Sequence, residues 1–341
     1  MEARSVPSAA RLPLRERLRE LPAVQWARLH PESTAAGVLG LLVLALLVAY
    51  GVHEVAQTGL SGLTLGSVYA LGAVGLTLVY GILRLVNFAH GEFLTFGAYM
   101  AFLVNVTWGA PLVLGIVFAI AATAVLGIAF ERIMWGPMRA RKAGLLQLLL
   151  MAIGLAFLIQ NTVQFIWGTE IRSLDVNVTD TVEFLGLRIG RTDLLVIVVG
   201  FMTLLSIGVM LKYTLLGKRM RALSDNFDLA ETAGVDTSRV VLYTWIFAGG
   251  LAGLAGVLAG AVTSVKPQMG FELLLPIFAA VILGGIGDAF GALAGGIVLG
   301  LMIEWSTLVI EPRWKVMVGF AVLILVLFVR PQGIFGKAKA I

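Results

Sequence analysis

Three short polar constellations interrupt an otherwise apolar chain of 341 residues, and any chemistry would have to sit there. The first is Asn87, His90 and Glu92 in NFAHGE. An imidazole two positions from a carboxylate is the minimum needed to pass a proton, as a proton-coupled carrier would require. The same groups can instead satisfy backbone at the cytoplasmic boundary, where a helix breaks at Gly91. The second is Gln160, Asn161 and Gln164. Gln160 and Gln164 share a helical face, where neutral amides either line a path for a zwitterion without trapping it or hydrogen-bond between helices. The third is GGIGDAFG, where Asp288 is the lone charge among Gly284, Gly285, Gly287 and Gly291. Such a run breaks a helix and frees backbone groups, a state tolerated at membrane depth only under cover of protein or water. Gly287, Gly291 and Gly295 recur every four residues, which marks tight packing, so the break is the functional candidate. NFAHGE and GGIGDAFG together form a pair of interrupted apolar segments, a pattern that points to a transport pathway.

A fourth stretch is polar and long, LGKRMRALSDNFDLAETAGVDTSR from Leu216 to Arg239. It carries helix punctuation of its own: Asp225 as N-cap, Asp228 three positions on, and Gly234 as the C-terminal stop. Leu223, Phe227 and Ala230 fall at i, i+4 and i+7 and make a small apolar face. A short amphipathic helix held between two spans either lies on the bilayer or seats in a groove of a cytosolic protein and passes motion inward.

The elements that position these groups must be membrane helices. Hydrophobic residues make up 59% of the chain and charged residues 13%, against roughly a quarter charged in soluble domains. The chain is too small to hide that apolar surface in a core, whereas a bilayer acts as its solvent. A span needs about 20 apolar residues. Candidate spans lie at 35–53, 59–83, 93–107, 111–131, 144–167, 193–211, 240–263, 272–286, 289–309 and 314–329. The expected fold is therefore an all-α polytopic bundle of about ten (8–10) transmembrane helices; the segments 93–107 and 272–286 are short enough to be re-entrant. With both termini cytoplasmic, inside segments hold 19 of the 25 Lys and Arg, including Arg139, Arg141 and Lys142. That bias follows the positive-inside rule and accounts for the net charge of +5 without nucleic acid. The expected organisation is a basic cytoplasmic tail at 1–34, one transmembrane domain at 35–330 and a cytoplasmic tail at 331–341. The domain includes an outer loop at 168–192 and an inner loop at 216–239. In the first tail Leu14, Leu18 and Leu21 share a face among Arg15, Arg17 and Arg19, readable as an interfacial helix or as a disordered arm. The outer loop sets Glu170, Asp175, Asp180 and Glu183 among Arg172, Arg188 and Arg191, and would suit a docking protein or any solvated loop.

The chain has no cysteine, which excludes disulfides, thiol catalysis and cysteine-ligated metals. No nucleophile–base pair or metal-ligand cluster is visible, so no enzymatic role, cofactor or metal is expected. Gly217-Lys218 is followed by Arg and lacks the upstream glycine of a G-x-x-x-x-G-K-[ST] phosphate loop, so the chain does not supply its own ATPase.

Four stretches in order carry a resemblance. GLTLGSVYALGAVGLTLVYGILRLVNFAHGEF (62–93), RALSDNFDLAETAGV (221–235), FAAVILGGIGDAFGALAGGIVLG (278–300) and RPQGIFG (330–336) closely resemble the LivH-type permeases of branched-chain amino-acid ABC importers. The likeness runs from about residue 57 to the C-terminus. It implies a permease that pairs with a second permease subunit, is driven by two cytosolic ATPases and receives solute from an extracytoplasmic binding protein. The implied location is a bacterial inner membrane. The implied cargo is leucine, isoleucine or valine, with urea or a short amide as an alternative. A stand-alone proton-coupled carrier or channel is the reading from another class. The resemblance also implies a coupling helix at 216–239, with Ala230, Glu231 and Gly234 matching its small-acidic-glycine pattern. Arg221, Leu223, Asp225, Asn226 and Phe227 are the remaining contact candidates. NFAHGE then corresponds to a discontinuous helix near the pathway, a gating element more than a proton relay.

Overall fold

The computed structural model describes residues 31–176, 180–184, 186–329 and Gly333. Most of tails 1–34 and 331–341, and most of the RPQGIFG motif, lie outside them. So does the expected interfacial helix around Arg11–Leu21.

Each expected apolar run is a helix. The first, Pro31–Leu83, is broken at Gly51 (φ 82°, ψ 165°) into α1 (31–50) and α2 (52–83). The break expected at 54–58 falls instead at Gly51, where a positive φ is open to glycine, with the polar His53, Glu54 and Gln57 just beyond it. The chain divides at the same glycine into two compact units, 1–51 and 52–341. In the second unit α3, His90–Phe102, runs into a π-helical turn at Leu103–Thr107. Next, α4 (Leu112–Phe130) follows Pro111 and continues through a π turn, Glu131–Trp135, to Ala140. It ends where Lys142 adopts φ +54°. The helices α5 (Leu145–Trp167) and α6 (Arg191–Tyr213) flank the loop at 168–192. Then come α7 (Leu215–Asp225), α8 (Phe227–Thr232), α9 (Thr237–Val262), α10 (Met269–Gly284), α11 (Ala289–Ser306) and α12 (Lys315–Val329).

Among the described residues, six helical stretches are long and apolar enough to cross a membrane, the first of them Leu39–Leu83. Met269–Gly284 is apolar but shorter, and α3 and α12 have 13 and 15 residues. The second unit is organised around α9. Its apolar window is 83% buried, against 28% or less in α4, α5 and α6. Those outer helices present Phe165, Leu150, Val125 and Phe201 to the surroundings, as expected where lipid is the solvent. The glycines of α9 are what let neighbours close in. A Cβ on Gly256 would overlap the Leu94 carbonyl of α3, and one on Gly249 would meet the Thr123 carbonyl of α4 at 2.6 Å. Similarly, Gly296 and Gly300 of α11 lie against the α2 backbone at Ala70 and Gly66. Packing of small residues replaces the hydrophobic drive that helices lack inside lipid.

One feature was not expected. The loop at 168–192 contains an antiparallel hairpin, β1 (Thr181–Phe184) and β2 (Leu187–Gly190), turning at Gly186 with φ +80°. Its three arginines are all engaged with acids of the same loop, Arg172 with Glu170, Arg188 with Glu183 and Arg191 with Asp180. Gln57 of α2 both donates to and accepts from the Arg188 backbone, at 2.6 and 3.0 Å.

Candidate functional site

Asn87, His90 and Glu92 are brought together and fully enclosed, at 0%, 2% and 3% exposure. They are enclosed by the bundle and do not lie on its surface. His90 Nε2 donates to the carbonyl of Gly72 at 2.9 Å, which fixes the proton on that nitrogen because a carbonyl only accepts. From Gly72, α2 runs on to Leu83, a further 16 Å or so at 1.5 Å per residue. Residues 84–89 therefore climb back alongside α2 before α3 begins, so α3 starts well inside the bundle. Arg84 makes the reversal, with φ +53°. Asn87 Oδ1 accepts from the Ala89 N–H at 3.1 Å, and the Asn87 carbonyl accepts from the His90 N–H at 3.1 Å. These bonds build the turn before the helix. Glu92 Oε2 and Asn87 Nδ2 are buried without a hydrogen-bond partner. Among the described residues no hydrogen bond joins His90 to Glu92, so a direct proton relay is not assembled.

The start of α3 is also where α10 arrives. A Cβ on Gly91 would overlap the Gly270 carbonyl, and one on Gly270 the Gly91 carbonyl. The Gly270 N–H donates to Thr95 Oγ1 at 3.0 Å. Two helix ends thus meet backbone to backbone in the interior.

The second interruption lies between α10 and α11. Gly285 (φ +107°) and Gly287 (φ +92°) carry the chain around, while Gly284 packs on the Gly291 backbone of the facing helix. Asp288 is the N-cap of α11, its carboxylate accepting from the Phe290 N–H at 3.0 Å. Its charge therefore has a structural use, favourable at a helix N-terminus. Gly333 from the RPQGIFG motif sits buried against Ile282 and Gly285.

The segment 216–239 forms two helices. Thr214 caps α7 by accepting from the Gly217 N–H at 3.1 Å. Asn226 caps α8, accepting from the Leu229 N–H at 3.0 Å. The cap is thus Asn226, and Asp225 is the last residue of α7; two adjacent residues of good capping type left the choice to the backbone turn between them. Gly234 ends the segment with φ +84°. Leu223 and Ala230 are buried and Phe227 half-buried, so the expected apolar face packs onto the chain's own core. What faces outward is Arg221, Asp225, Asn226, Glu231 and Gly234, with Leu229 at 65% exposure. Leu229 was missed because the i, i+4, i+7 stripe assigned the apolar role elsewhere.

The two features meet. Arg84 Nη2 donates to the Ser224 carbonyl at 2.8 Å. A Cβ on Gly81 would lie 3.2 Å from Ser224 Oγ and 3.5 Å from the Gly287 carbonyl. The end of α2, the end of α7 and the 285–288 joint therefore converge on one point.

Gln160, Asn161 and Gln164 are not part of this assembly. They lie on α5, Asn161 exposed and bonded to its own helix at Phe157, the two glutamines half-buried. Two charged groupings escaped the sequence reading. Buried Glu131 accepts from Arg139 and from the Trp245 indole N–H at 2.6 Å. Glu304 pairs with Lys315. The signal for the second was a charge inside each of two expected spans, 289–309 and 314–329.

Residues 58–327 match the family model described as branched-chain amino acid transport system / permease component. The chain belongs to this family. The high-affinity branched-chain amino acid permease protein LivH of Escherichia coli strain K12 is 35% identical over 297 residues, covering 83% of this chain and 96% of that one. BraD of Pseudomonas aeruginosa, described in the same terms, is 32% identical over 302 residues, with 84% and 98% covered. The ribose import permease RbsC of Escherichia coli strain K12 is 28% identical over 274 residues, with 76% and 80% covered. Family membership and the apolar helices together make the chain a multi-pass membrane protein of the permease class. The match takes in both interruptions and the α7–α8 pair, and leaves α1 outside.

Proposed function

We propose that the chain is the membrane-spanning, non-catalytic subunit of an ATP-driven importer for leucine, isoleucine, valine or a closely related solute. It works with a second permease subunit, two cytosolic ATPases and an extracytoplasmic binding protein in a bacterial inner membrane. The match to permeases named for branched-chain amino acids, over most of both chains, carries the reading. The sorting of 19 of 25 Lys and Arg to one side supports an orientation with both termini cytoplasmic, and ten apolar helices crossing or entering the bilayer.

In that orientation α7 and α8 are cytoplasmic. Their apolar side is anchored at Leu223 and Ala230, and their outer side offers Leu229 between Asp225 and Glu231. Leu229 is an exposed apolar side chain with the exposed acids Asp225, Asp228 and Glu231 close by in sequence. Force applied there reaches the 285–288 joint through Ser224, Arg84 and Gly81. The proton-carrier alternative loses support from the geometry, since His90 is committed to the Gly72 carbonyl.

The test is charge reversal at Asp225 or Glu231 in the reconstituted complex. Both side chains are exposed, so membrane accumulation stays at the wild-type level, while substrate-stimulated ATP hydrolysis falls at least tenfold. Unchanged stimulation would remove the coupling assignment. Solute movement by the purified chain without ATPases would remove the class.

A further inference from the structure

A cavity of about 360 Å³ opens between α2, the 263–269 connection, α10, α11 and α12. None of the residues singled out from the sequence lines it. The volume lies at the small end of ligand pockets, which span roughly 300–1,000 Å³. Much of the wall is apolar, with Leu65, Leu273, Ile303 and Phe320. Two ion pairs stand on the same wall. Lys315 Nζ donates to both carboxylate oxygens of Glu304, at 2.7 and 2.9 Å, and Lys266 Nζ lies 2.7 Å from Glu272 Oε2.

We propose that this cavity binds a zwitterionic α-amino acid with a small branched aliphatic side chain, Glu304 receiving the ammonium and Lys315 the carboxylate. The assignment rests on the permease reading above and deepens it by naming the residues that meet the solute. In the proposed orientation the cavity lies toward the outer side, where a binding protein releases its cargo.

Two considerations carry the argument. A partly buried ion pair is a weak way to fasten α12 to α11, because apolar residues of similar volume usually hold as well or better. The pair is therefore explained better by something it recognises than by the tie it makes. The second is charge balance. The four charges on the wall sum to zero, so a zwitterion set across Glu304–Lys315 replaces one internal contact with two and leaves no charge unmatched. A solute with net charge leaves one of the pair without a partner, an anion stranding the nearly buried Glu304 and a cation the partly exposed Lys315, and the first is the more unfavourable. The aliphatic wall then takes the side chain.

The chain has no native cysteine, so single-cysteine labelling reads the cavity directly. Half-buried Ser264 lines it; Ser264→Cys, with Val316→Cys in parallel, is placed in the permease–ATPase complex without the binding protein, so that docking does not shield the site. Millimolar leucine is expected to slow modification by a methanethiosulfonate reagent at least tenfold, while leucinamide (a cation) and 4-methylpentanoate (an anion) do not. Glu304→Met with Lys315→Met keeps the packing volume. It is expected to accumulate normally, lose the protection and lower leucine uptake by the complete importer at least tenfold. Equal protection by all three ligands, no protection by leucine, or wild-type uptake in the double variant overturns the site. Should the double variant not accumulate, the three-ligand comparison on the wild-type pair still decides. Failure of the wild-type importer to take up leucine, isoleucine or valine overturns the proposed cargo, whereas leucine uptake indifferent to the double substitution overturns this site alone.

Discussion

The two interruptions look alike in sequence and are opposite in construction. At 84–89 the chain is held by side chains. Asn87 builds the turn, His90 ties it to Gly72, and the start of α3 is closed against Gly270 with no room for a Cβ. At 285–288 the chain is held mainly by backbone: the Gly285 N–H donates to Val281, the Asp288 N–H donates to Gly285, and Gly333 lies against Gly285. Gly285 and Gly287 supply the turn through their own backbone freedom, Ile286 is 48% exposed, and the nearest atom to a Cβ on Gly287 is Gly81 Cα at 4.0 Å. The first is an anchor at depth. The second is a joint beside the α7–α8 pair. Polar side chains fix a break, whereas glycines leave it able to move.

The contrast is broken or sharpened by substitution on each side. The largest effect belongs to Gly91→Val, which drives a side chain into the Gly270 backbone. Overpacking costs about 1–3 kcal/mol where neighbours can shift, and here two backbones must separate. The expected result is at least a tenfold loss of monodisperse protein after detergent extraction, measured by gel filtration; normal yield would show that the anchor yields. Gly287→Ala comes next. The space is open and the cost is conformational, about 1–2 kcal/mol for a non-glycine residue with φ near +90°. The protein should accumulate normally, with leucine transport reduced several-fold because the joint is stiffened. Equal transport would place the moving part elsewhere. The smallest effect is Asp288→Ala, which deletes one N-cap bond at a cost of about 1 kcal/mol. A lower melting temperature with nearly unchanged turnover would confirm that the charge serves the helix and not the solute.

Hydropathy located the apolar helices because the length a bilayer demands is written directly in the chain. It misplaced the first break by a few residues, because the polar residues His53, Glu54 and Gln57 follow the non-helical residue Gly51 rather than coincide with it. It set NFAHGE at the boundary because apolar length records extent and not path; the return of residues 84–89 into the bundle is visible only once His90 meets Gly72. The Leu223–Ala230 stripe was read correctly as apolar, but which surface it met depended on the core beneath it. Glu304 and Lys315 are single charges within two separate expected spans, 289–309 and 314–329, and drew no notice there. They become a pair only because the turn after α11 folds α12 back beside it.

The meeting of Gly91 with Gly270 also constrains biogenesis. With its π turn α3 runs from His90 to Thr107, roughly 27 Å against the ~30 Å hydrocarbon layer, and it carries the buried carboxylate of Glu92 near its start. Such a segment has no stable resting place alone in lipid. The helix end that closes over it is made 179 positions later, on the order of 10–40 s at ordinary rates of synthesis. Until then α3 must be sheltered by α2 or by the insertion machinery, so this buried backbone contact forms only after most of the chain is made.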